Sequence, residues 1–75
     1  MMSEKALREL PPTALLVYRA LENADEPLTK VEIAGRTYRP EPSIDNALGQ
    51  LAERDLIGSD YLMTDRRKKV YYLES

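Results

Sequence analysis

A chain of 75 residues makes one small domain, and a domain of this size buries only about 60% of its unfolded surface, so association is a natural source of extra stability. It contains neither Cys nor His. That excludes disulfides and thiolate metal sites and removes the commonest general base and metal ligand. The 11 Lys and Arg against 13 Asp and Glu leave a net charge of −2, which taken as a whole argues mildly against a polyanionic partner.

Residues 3–10, SEKALREL, read as a short helix with Ser3 as N-cap and Ala6, Leu7 and Leu10 on one face. Pro11 and Pro12 end it, and a proline is also welcome in the first turn of the next helix. That second helix is predicted from about Pro12 to Ala24, with Ala14, Leu15, Val17, Tyr18 and Leu21 as its apolar stripe. Asn23 to Pro27 is a loop, and Leu28 beside it is expected to be buried. Thr29 and Glu32 fit a capping box, which predicts a helix from Lys30 to about Thr37 burying Ile33 and Ala34. Arg39 to Pro42 breaks the chain. Ser43 is then predicted to cap a helix over 44–54, with Ile44, Ala47, Leu48, Leu51 and Ala52 inward.

The remainder reads as β structure: a short segment at Leu56 and Ile57, then Tyr61–Thr64 and Val70–Leu73, with Asp65 to Lys69 as the hairpin loop between them. Two helices joined by a short turn and followed by a two-stranded hairpin describe a winged helix-turn-helix. This is an α+β fold with a helical core and a C-terminal β-hairpin wing. Residues 1–10 form an N-terminal helical extension, and residues 11–75 form the winged domain. The longest apolar run, Ala14–Val17, is too short for a bilayer span or signal sequence, so a soluble cytoplasmic protein is expected, with no membrane partner.

LPPTALLVYRALENADEPLTKVEIAGRT, a turn, a helix ending in LAERDLIGSD, and TDRRKKVYYL together resemble the winged-helix core of MarR-like transcriptional regulators, in particular short archaeal versions that open on Leu-Pro-Pro. The resemblance covers residues 10–74. Its most specific part is an Asp-x-Arg in the wing, matched by Asp65 and Arg67. It implies that Arg67 enters a minor groove while Asp65 braces the loop. Family members commonly have Gly after the recognition helix, where this chain has Asp55, a residue that tolerates a left-handed backbone. Full-length members also carry extra dimerisation helices, and here only residues 1–10 offer themselves for that.

Charge distribution carries the rest. Residues 25–55 hold seven acids and four bases, whereas all four bases of residues 56–75 fall in one run, Arg66, Arg67, Lys68 and Lys69. Each cation that neutralises a phosphate releases counterions, so Arg66, Arg67 and Lys68 are candidate duplex contacts; the alternative is a solvated loop. Lys69 instead fits the start of a strand. On the 44–54 helix, Asn46 and Gln50 lie one turn apart on the outer face. Both can pair with adenine in the major groove, and Gly49 between them permits close approach. Against this, Asp45 and Glu53 repel phosphate, and an ordinary polar face is the rival reading. Arg36 and Arg39 flank the turn, and Lys30 and Ser43 stand at helix starts, all positions suited to backbone contacts or to surface ion pairs. Most of the tyrosines read as core or sheet residues. The stripe Ala6, Leu7 and Leu10, with Met1 and Met2, suits either self-packing or a homodimer contact.

No phosphate loop, metal cluster, cofactor motif or active site is legible, so no enzyme is expected. The expectation is a double-stranded DNA-binding transcriptional regulator with its recognition helix at 44–54 and its wing at 64–69. The rival is a winged-helix adaptor that uses its helical face for a protein partner.

Overall fold

Proline placement sets the first boundary. Helix α1 spans Glu4–Arg8 and α2 spans Pro12–Asn23, with Pro11 at the N-cap of α2 and Pro12 in its first turn, where no amide hydrogen is needed. The computed structural model describes residues 4–74, apart from the side chains of Glu4 and Ala6. The expected Ser3 cap, Met1 and Met2, and the Ala6 side chain lie outside the described residues. α2 buries Ala14, Val17 and Leu21. Leu10 enters the same core and Leu7 packs against it, so these two positions of the N-terminal stripe serve their own domain.

A two-residue strand, β1 (Leu28–Thr29), follows the loop. Two residues carry no periodicity, so the sequence predicts only a buried Leu28 there. Thr29 also caps α3 (Lys30–Thr37). Its Oγ1 accepts from the Glu32 amide at 3.2 Å, and its own amide donates to Glu32 Oε1 at 2.9 Å, completing the capping box.

α3 ends at Tyr38, whose φ of 57° puts it in the left-handed region. After Arg39 and Pro40, α4 runs Glu41–Glu53. It therefore begins before the expected Ser43. The amides of Ser43 and Ile44 already donate to the Pro40 carbonyl, at 3.0 and 3.2 Å. Pro42 does not break the helix, because a first-turn residue has no intrahelical partner for its missing N–H. Ser43 is thus a first-turn residue and not the cap. At the far end Asp55 takes φ 56°, as the sequence suggested for a residue in glycine's place, and the Leu56 amide returns to the Leu51 carbonyl at 3.0 Å.

The sheet has strand order β1-β3-β2, all antiparallel, with β2 at Ile57–Leu62 and β3 at Asp65–Leu73. This corrects the hairpin. The turn is Met63–Thr64, and Asp65 to Lys69 belong to a strand instead of a loop. Lys69 pairs with Tyr61 and Asp65 with Leu62, across a register irregularity between Tyr61 and Leu62. Of the four cations only Lys69 has a cross-strand partner; Arg66, Arg67 and Lys68 lie in the irregular stretch between the Leu62–Asp65 and Tyr61–Lys69 pairs.

The core is built by all layers. Val17 of α2, Leu28 of β1, Ile33 of α3, and Ile44 and Leu51 of α4 are each less than 2% exposed. Burying a side chain of this kind contributes about 1.5–3 kcal/mol. No buried polar or charged residue occurs among the described residues, so the core is an apolar clamp. It fixes α3 and α4 against one end of the sheet and leaves the other end of the hairpin exposed, with Met63 97% accessible. The architecture is a winged helix.

Candidate nucleic-acid interface

The first half of β3 and the first turn of α3 sit close together. Leu62, Arg67, Lys68 and Lys69 from the hairpin face Lys30 and Glu32 across an open groove of about 650 Å³. The basic run is divided between two clefts. Arg67, Lys68 and Lys69 line the first with Tyr71, whereas Arg66 borders a second cleft with Asp60, Tyr61 and Met63. Arg66 and Lys68 are exposed and make no hydrogen bond or ion pair with a described residue. Lys69 lies over the Tyr61 ring, 5.7 Å from its centroid, which holds its stem along the sheet.

Arg67 is braced. Asp65 Oδ1 accepts from the Arg67 amide at 3.0 Å and from its Nε at 3.3 Å. Those bonds, the backbone one first, hold the Asp65 carboxyl below its ordinary pKa and keep it ionised. The Arg67 side chain remains 91% exposed. Its conformation is biased while its guanidinium stays available to a ligand.

On α4, Asn46 is exposed and Gln50 half-buried, one turn apart. A Cβ added to Gly49 would meet nothing within 4 Å, so the protein's own packing does not require glycine there. Arg36 in the last turn of α3 and Arg39 in the following turn are both exposed, and Ser43 is half-buried. Tyr38 between the arginines is 93% exposed. It departs from the expectation that the tyrosines are mostly core or sheet residues, which Tyr18 and Tyr71 fulfil by packing on the core.

One relationship had no sequence signal. Lys30 Nζ donates to Asp45 Oδ1 at 2.8 Å, linking α3 to α4 across fifteen residues. That hydrogen bond raises the Lys30 pKa above its ordinary value. Lys30 is therefore committed within the protein, and Asp45 is not a bare negative charge on the helix. The pairing depends on the α3–α4 crossing, which no local pattern reports.

No helix among the described residues is long and apolar enough to cross a membrane. Nor does any group of three or more acidic side chains among them form a metal site. No model of a known protein family matches the sequence, and no curated protein does. Solved structures do share the fold. Lactococcus lactis ZitR, a zinc-responsive MarR family member, is 26% identical over 88% of this chain and 44% of its own, with a TM-score of 0.77. S. aureus MepR in its DNA complex is 24% identical over 89% of this chain and 55% of its own, with a TM-score of 0.79. A probable transcriptional regulator from Pseudomonas aeruginosa is 21% identical over 88% and 49%, with a TM-score of 0.82. The present chain spans about half the length of each of these neighbours.

Proposed function

We propose that the chain is the DNA-binding winged helix of a cytoplasmic transcriptional regulator that acts on double-stranded DNA as a homodimer. α4 enters the major groove, where Asn46 and Gln50 meet base edges and Gly49 admits close approach. Arg67 occupies the adjacent minor groove, and Arg66 and Lys68 contact phosphates. Arg36, Arg39 and Ser43 hold the backbone on either side of the helix-turn-helix turn.

The observation that carries this reading is the braced but exposed Arg67 on a hairpin whose Arg66 and Lys68 side chains form no ion pair among the described residues. MepR, of the same fold, was solved bound to DNA, which supports it. The zinc response of ZitR is not carried over, because these 75 residues include neither His nor Cys.

The adaptor reading draws on the acidity of residues 25–55 and on exposed Tyr38 and Val31. Titrating a duplex into isotope-labelled protein separates the two. DNA binding is expected to shift the amide resonances of Arg36, Asn46, Arg66, Arg67 and Lys68. A spectrum unchanged at low salt would leave the adaptor reading in place.

A further inference from the structure

α4 brings three carboxylates toward what is proposed to be a polyanion: Glu41, Asp45 and Glu53. Asp45 alone of the three is held by an ion pair among the described residues, the one from Lys30. The bond engages Oδ1 only, so Oδ2 has no described partner, and the side chain is 57% exposed. Asp45 lies in the N-terminal half of α4, the part of a recognition helix that touches base edges. Its flank is open. Gly49 and Ala52 follow one and two turns on, and together with Ser59, Lys69 and Tyr71 of the hairpin they border a cleft of about 310 Å³.

A carboxylate whose charge is offset and whose second oxygen is free can accept a hydrogen bond but cannot donate one. In the major groove cytosine presents a lone donor, its N4 amino group. Adenine sets an N7 acceptor beside its donor, and guanine and thymine present acceptors. We infer that Asp45 selects a cytosine in the bound duplex, and that Lys30 is the positioning residue that orients the carboxylate and cancels its repulsion of phosphate. The inference rests on the reading of α4 as the DNA-recognition helix. It gives the opposite sign to the expectation that Asp45 merely opposes binding and that Lys30 is a phosphate contact.

Selection of bound duplexes from a random library tests it, with wild type, Asp45→Asn and Lys30→Met checked for native circular dichroism. The wild type is expected to enrich a motif with one fixed cytosine, and replacing that base to weaken binding about tenfold. Asp45→Asn should lose this column, or turn it to adenine, with the other columns intact. Lys30→Met should weaken both affinity and cytosine preference, Lys30→Arg should restore them, and Lys30→Met should add no further loss in an Asp45→Asn background. If Asp45→Asn enriches the wild-type motif in every column, this inference fails while the DNA reading stands. If Lys30→Met keeps the cytosine preference, the positioning role fails. A wild type that retains no duplex overturns the DNA reading and this inference together.

Discussion

Asp65 and Arg67 are joined twice through a single carboxylate oxygen, once at the backbone amide and once at Nε. The first bond shapes the start of β3 and the second aims the guanidinium. Asp65→Ala removes both without adding bulk. Duplex affinity is expected to fall several-fold while thermal stability changes little, because the pair is at the surface. Asp65→Asn keeps an acceptor for the amide but no charge, and should fall between wild type and Asp65→Ala. Fluorescence anisotropy with a labelled duplex, beside thermal denaturation, measures both quantities.

On α4 the proposed base contacts and the proposed role of Gly49 are tested by separate substitutions. Asn46→Ala is expected to relax sequence preference more than it weakens binding to an unrelated duplex. Gly49→Ala should stabilise the fold by about 0.5–1 kcal/mol, since glycine disfavours a helix interior and no neighbour crowds the added methyl. It should also reduce duplex affinity, because close approach is lost. A variant that is both more stable and binds equally well would show that Gly49 has no role at the interface.

The capping box links α3 to β1. Thr29→Ala should cost about 1 kcal/mol in chemical denaturation. The hydrogen bonds from Thr29, the backbone one first, hold the Glu32 carboxyl below its ordinary pKa. A folded-state value below the unfolded one gives stability that is present above the unfolded value and is lost as pH falls through the folded one. Wild-type stability should therefore drop more steeply than that of Glu32→Gln on acidification below about pH 4. Parallel pH profiles for the two proteins would contradict the box.

Gly58 lies opposite Tyr72 across the hairpin, and a Cβ at Gly58 would come within 2.6 Å of the Tyr72 ring. Gly58→Ala is expected to displace the exposed Tyr72 ring and the Glu74 carboxylate, and to destabilise the domain by about 1 kcal/mol or less, because both side chains are at the surface. The same substitution made in a Tyr72→Ala background should cost clearly less, and equal costs in the two backgrounds would rule out this contact as the cause.

The helices were legible because each has a local signature: prolines at the start of α2, a capping box at α3, an apolar period in α4. The hairpin was legible as a hairpin but its turn was misplaced. Asp65 reads as a turn former and the cations as loop residues, whereas Asp65 pairs with Leu62 and Lys69 with Tyr61, which brackets Arg66 to Lys68 in a bulged stretch of the strand that has no local signature. β1 and the Lys30–Asp45 pair were invisible because both arise only when distant segments meet. The charge of Asp45 is legible in the sequence, whereas its Lys30 counterion is not.

The central claim is that the exposed cations of β3 grip a polyanion against an unfavourable overall charge. The salt dependence of binding to a single duplex, wild type beside Arg66→Ala/Arg67→Ala, tests it most directly. About four phosphate contacts give a slope of log affinity against log salt near −3.6. The double variant should bind more weakly at every salt concentration, with a flatter slope. Superimposable salt curves for the two proteins would contradict the claim.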